Sequence, residues 1–212
     1  MRFYFMREIK VLDICKGERV YFKKEFSRGV FMNQARYLCN TVRAKVLAAL
    51  IATVGAVCLP QVFHAVGAAF GIGSAMGEAF LPMHIAVLLV GFFAGPVVGG
   101  CVGAVSPLIS FAVSGMPRMA SLPFMVVELC AYGLIAGLLA DKQMPIICKL
   151  LLAQLGGRVL RIAVMAVAFF GLSFGASPVA FISSVAVGLP GLLLQWALIP
   201  LVIRIVEGNR RG

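Results

Sequence analysis

Five side chains in an otherwise apolar sequence could do chemistry: His64, His84, Glu128, Arg158 and Arg161. A carboxylate and an imidazole can exchange protons as acid and base. A guanidinium grips a carboxylate or phosphate through its planar fork of donors. A metal site at membrane depth would have to be assembled from Glu128, His64 and His84 alone. The aspartate clusters that hold metal in membrane phosphotransferases are missing, because the only aspartates are Asp13 and Asp141. No metal and no cofactor is therefore expected. The sequence also has no G-x-x-x-x-G-K-[ST], no H-E-x-x-H and no G-x-S-x-G, so it does not bind ATP through a P-loop and offers no familiar hydrolase centre. The expectation is a binding protein and not an enzyme. The rival reading is a membrane-embedded enzyme that uses Glu128 and His84 on a lipid or small molecule. A stand-alone scaffold or small channel is a third.

The elements that must position these residues follow from composition. The chain has 212 residues, 61% of them hydrophobic and 13% charged. Soluble domains carry roughly 25% charged residues, and a soluble chain this apolar would expose too much greasy surface. The 23 glycines sit inside apolar runs, as is common in transmembrane helices. The formal charge of +11 is gathered at the ends: eleven of the 19 Lys and Arg fall in residues 1–45, and Arg204, Arg210 and Arg211 lie near the C-terminus. Basic flanks mark the cytoplasmic side of a membrane protein. Nothing after residue 45 combines a basic groove with stacking aromatics, so no nucleic-acid role is expected. The six cysteines, Cys15, Cys39, Cys58, Cys101, Cys130 and Cys148, show no C-x-x-C spacing and read as small packing residues.

Residues 1–43 form a basic cytoplasmic N-terminal segment. Within it, 1–31 read as a dispensable tail or an over-extended gene start, because they lack an apolar core of signal-peptide length. Residues 44–206 form a six-helix transmembrane domain, and 207–212 a basic tail. The spans are expected at about 46–63, 83–98, 100–114, 123–139, 146–173 and 179–203. The run 79–117 carries no Asp, Glu, Lys or Arg and is broken at "GPVVGG", residues 95–100. Gly115 and Pro117 end the third span. Six spans place both termini on the cytoplasmic side of a multi-pass protein of the bacterial cell membrane.

On that layout the polar residues converge. His64 closes the first span and His84 opens the second, both at the outer side. Glu128 lies roughly 8 Å below the outer end of the fourth span, and Arg161 roughly 22 Å above the inner end of the fifth. Arg158 is one turn deeper on nearly the same face. Polar groups at this depth are expensive and mark function by default. Plainer roles stand beside that one. The histidines could bond to loops and headgroups, Glu128 and Arg161 could form a structural ion pair, and Arg158 could snorkel inward. Gln195, with Trp196, reads as a helix–helix hydrogen bond. Ala44, Ala48, Ala52 and Ala56 recur every four residues on one face of the first span. Small residues at this spacing let helix backbones approach closely in lipid, within the chain or against a partner.

The phrases "LPQVFH" (59–64), "FLPMHI" (80–85), "GAVSPLISFAVSGMP" (103–117), "ELCAYGLIAGLL" (128–139) and "GLPGLLLQ" (188–195), in this order, resemble the substrate-specific (S) components of energy-coupling factor vitamin transporters. The resemblance covers about residues 44–203. It implies a six-helix S-component fold with cytoplasmic termini that captures a small water-soluble vitamin from outside. It also implies a shared energising module of one transmembrane coupling protein and two ABC ATPases as partner. An A-x-x-x-A motif docks on the coupling protein in that family; it maps onto Ala44 and Ala48, or Ala48 and Ala52. His84 would line the pocket beneath the 64–82 link. One Glu, two Arg and two His suit an anionic or zwitterionic vitamin. Pantothenate leads, with folate, niacin, lipoate or a queuosine precursor as alternatives.

Overall fold

The computed structural model describes residues 41–71, 75–172 and 188–208, and every regular element among them is helical. In chain order these are α1 (Val42–Ala69), the short α2 (Ala75–Phe80), α3 (Pro82–Ala94), α4 (Pro96–Ser114), α5 (Leu122–Leu139), α6 (Ile146–Leu172) and α7 (Leu189–Gly208). Five of them, α1, α4, α5, α6 and α7, are long and apolar enough to cross a bilayer. The described residues are those of an all-helical protein suited to a multi-pass membrane setting. The basic stretch before residue 41, residues 173–187, which include the start of the expected sixth span, and Arg210 and Arg211 lie outside the described residues.

Local chemistry explains the helix boundaries. Thr41 caps α1: its hydroxyl accepts from the amide of Ala44 at 3.3 Å. Pro82 stands in the first turn of α3, where no amide proton is needed. The expected second and third spans are redrawn at their junction. Gly95 alone makes the reversal, with φ 96° and ψ 176°, a conformation that favours glycine. Pro96 then opens α4 instead of ending the preceding helix. As a result α3 has 13 residues, about 20 Å of helix against the ~30 Å of a bilayer core. Gly115 closes α4 in the left-handed conformation, as its residue type predicts.

α3 is also the central helix. Ten of its 13 residues are buried, as expected of a helix that is apolar all round. It packs against α1, α4, α5 and α7. A single core joins Ala56 of α1, Leu88 and Phe92 of α3, Val102 of α4, Tyr132 and Ala136 of α5, Leu150 of α6 and Ile199 of α7. The exposed apolar side chains, such as Leu50, Ile51 and Val54, face outward from the bundle. Glycine sets the closeness of the α3–α4–α5 packing. A Cβ on Gly133 would collide with the backbone of Gly99, and one on Gly91 would come within 2.5 Å of the Gly133 carbonyl oxygen. α1 and α4 end on the same side of the bundle, and α4 and α5 run antiparallel. Gln61, late in α1, donates to Ser114, late in α4, at 2.9 Å. At the other end, Gly137 of α5 abuts the backbone of Gly95 and Pro96.

Candidate functional site

Glu128 is the centre of the candidate site. It sits in the second turn of α5 and is 2% exposed. Its Oε2 accepts from Arg161 of α6 at 2.5 Å, an ion pair, and its Oε1 accepts from the hydroxyl of Tyr132 at 3.1 Å. Tyr132 is four residues on, so both side chains share one face of α5. The Tyr132 ring meets the imidazole of His84 edge-on, with centroids 5.3 Å apart and planes at 64°. Arg158, one turn before Arg161 on α6, approaches the Tyr132 hydroxyl and lies within electrostatic reach of Glu128 and His84.

Three local features bring these groups together. Gly157 lets α6 come close to α5: a Cβ there would strike the ring of Tyr132 and stand 3.0 Å from the Glu128 carbonyl oxygen. That approach carries Arg158 and Arg161 to the carboxylate. Pro82 fixes the start of α3, and the amide of His84 donates to the Leu81 carbonyl at 3.1 Å. The imidazole therefore leaves the first turn of α3 pointing into the bundle, where His84 is 2% exposed. The third is the apolar packing of α3 itself, which buries His84 with nine other residues of that helix.

Four of the five sequence-predicted residues thus form one cluster. His64 does not join it. It lies on α1 against α2, where a Cβ on Gly77 would collide with its imidazole, and the neighbouring Phe63 and Phe80 rings pack at 5.4 Å. Among the described residues no interaction links His64 to Glu128 or His84. The alanine ladder also turns inward: Ala56 is fully buried, and Ala48 and Ala52 pack against the core. Close packing within the chain accounts for these positions, while Ala44 lies beyond the core contacts, at the capped end of α1.

Tyr132 is the site residue that the reading of charges missed, although its spacing from Glu128 was the available signal. A second polar network was half anticipated. Gln154 of α6 donates to Gln195 of α7 at 2.8 Å, and the indole of Trp196 donates to Gln154 at 2.8 Å. These bonds tie α6 to α7, as expected of Gln195, with Gln154 as the unforeseen partner. Lys149, 2% exposed, donates to the Ala140 carbonyl at 2.8 Å, placing an ammonium on the C-terminal end of α5.

The cluster presents one carboxylate, two guanidiniums, a phenol and an imidazole, groups that can hold a polar ligand. Both carboxylate oxygens of Glu128 already accept hydrogen bonds. Two guanidiniums beside one carboxylate repel a metal cation, and among the described residues no three His, Cys, Asp or Glu gather in metal-binding range. Nδ1 of His84 and Nε of Arg158 are buried with no hydrogen-bond partner. Compared with models of known families, with curated proteins and with solved structures, the chain matches none of them.

Proposed function

We propose that this chain is the membrane-embedded substrate-binding subunit of an importer, which captures a small water-soluble solute at the His84–Glu128–Tyr132–Arg158 cluster. The observation that carries the reading is the gathering of His84, Glu128, Arg158 and Arg161 from three helices into one cluster of an apolar bundle, the histidine and the carboxylate buried and the two arginines half-buried. Ionisable groups are costly at membrane depth and are retained there for a ligand or ion path. Unsatisfied atoms on His84 and Arg158 leave donor and acceptor capacity for such a ligand. The S-component resemblance in the sequence supplies the rest of the proposal. The solute is a vitamin, pantothenate first; the termini face the cytoplasm of a bacterial cell; and a coupling protein with two ABC ATPases energises release. An acid–base enzyme built on Glu128 and His84 fits less well, because the Glu128 carboxylate is engaged by Arg161 and Tyr132 and is not poised to take a proton.

Mass spectrometry of small molecules released from the purified, denatured protein tests this reading. A stoichiometric water-soluble solute is expected, and Glu128→Ala should reduce its recovery. Turnover of a lipid by the purified chain, with no solute retained, would favour the enzyme.

A further inference from the structure

We infer that Arg158 is the anion receptor of the site: it takes a single negative group, a carboxylate or equivalent oxyanion, from the captured solute. This rests on the proposed solute-binding role of the cluster and assigns its parts. The cluster holds one carboxylate and two guanidiniums. Glu128 gives Oε2 to Arg161 and Oε1 to the Tyr132 hydroxyl. The charge of Arg161 is thereby balanced, and both carboxylate oxygens are used. Arg158 faces the neutral Tyr132 hydroxyl, and among the described residues no salt bridge joins it to a carboxylate. Its Nε is buried with no acceptor. A cation held in an apolar bundle without its own counter-charge is costly. An oxyanion brought by the solute supplies that charge and fits the planar fork of donors.

His84 completes the description of the ligand. Its Nδ1 is buried and unpartnered on a residue 2% exposed, and it lies across the Tyr132 ring. It offers one hydrogen bond to an uncharged group of the same molecule, a hydroxyl or amide. The site therefore takes an organic monoanion with a neutral polar group. Arg161 is a positioning residue that holds the Glu128 carboxylate.

The test is thermal unfolding of the full chain, purified in neutral detergent, against matched acid and neutral solutes: pantothenate with panthenol, nicotinate with nicotinamide, lipoate with lipoamide. A ligand that binds the native state raises the unfolding temperature. At least one acid is expected to raise it, with its neutral counterpart silent. Arg158→Gln should abolish the shift, and Arg158→Lys should keep part of it. If Arg158→Gln fails to fold, the matched pairs on the unmodified chain decide the matter alone. Equal stabilisation by a neutral counterpart, or a full shift in Arg158→Gln, overturns the role of Arg158 while leaving solute capture standing. Stabilisation by added phosphatidylglycerol alone assigns the oxyanion to a lipid headgroup and overturns the captured solute. Silence from every acid and every neutral solute defeats both readings.

Discussion

The hydroxyl of Tyr132 donates to Oε1 of Glu128, one helical turn earlier on α5, over 3.1 Å. The same ring packs edge-on against His84. One side chain therefore joins the carboxylate of α5 to the imidazole of α3. Tyr132→Phe keeps the ring and deletes the bond. Loss of a buried hydrogen bond to a charged acceptor costs about 1.5–3 kcal/mol. Thermal or denaturant unfolding in detergent should show a loss of that order. An unchanged stability would mean that water replaces the hydroxyl on Glu128.

The ion pair between Glu128 and Arg161 can be weighed by a double-mutant cycle. Glu128→Ala strips Arg161 of its carboxylate in a partly buried setting, a change that costs up to about 3–5 kcal/mol when a buried partner is removed. Replacing Arg161 by Met in the same chain should recover much of that loss, since the stranded charge is gone. Solute affinity should remain low in the double variant. Recovery of stability together with full affinity would remove Glu128 from the binding site and leave it a structural partner.

Helix type and most boundaries were legible in the sequence because they depend on local chemistry. Pro82 at the start of α3, Gly115 at the end of α4, both ends of α5 and the start of α6 all lie close to where residue type puts them. The α3–α4 junction was misplaced by a few residues, because "GPVVGG" offers several glycines and only packing selects Gly95. Depth along a helix was also read from the sequence: it put His64, His84, Glu128 and Arg161 near one level with Arg158 a turn deeper, and all of these but His64 meet in the cluster. Which face a residue presents was less readable. His64 lies against α2, outside the cluster, since helical rise says nothing about rotation between helices. Tyr132 and Gln154 escaped notice, yet each supplies a hydrogen bond that a charge count omits.

The glycines at the α4–α5 crossing make a sharp prediction. In Gly133→Ala the new methyl would meet the backbone of Gly99, which cannot swing aside as a side chain can. The helices must separate, and overpacking of this kind costs typically about 1–3 kcal/mol. The separation would also loosen Tyr132, the preceding residue, and Glu128, little more than one turn earlier on the same helix. Lower unfolding temperature and weaker solute binding should appear together. Gly55, with nothing near its Cβ position, is the control: Gly55→Ala should leave both unchanged or add slightly to stability.

Gln154 and Gln195 hold α6 to α7 by a 2.8 Å amide–amide bond, with Trp196 donating to the other end of Gln154. Gln154→Leu would break both bonds and leave the Gln195 carbonyl buried without a donor. Interhelical hydrogen bonds inside membrane proteins contribute roughly 0.6–2 kcal/mol. A stability loss near that range, with a shift in Trp196 fluorescence, is expected. A fluorescence change without loss of stability would show that α7 reseats on α6 through its apolar contacts alone.

Two faces of α1 can now be told apart by experiment. Ala48, Ala52 and Ala56 pack inward, whereas Val46, Leu50 and Val54 are 52%, 59% and 61% exposed. Ala52→Leu adds volume where the core is already filled, so it should cost about 1–3 kcal/mol and weaken solute binding with it. Leu50→Ala removes volume only from the outer face, and the purified chain should keep its stability and affinity. The two variants therefore separate folding from partner docking. If a coupling protein docks on α1 through the outer face, Leu50→Ala and Val54→Ala should reduce co-purification of the energising module while the isolated chain behaves normally. If docking uses the alanine face, as the motif in the S-component resemblance implies, Ala48→Leu or Ala52→Leu should abolish co-purification at a temperature where the isolated chain is still folded and still binds solute. Loss of folding and binding at the same substitution dose would assign the ladder to internal packing alone.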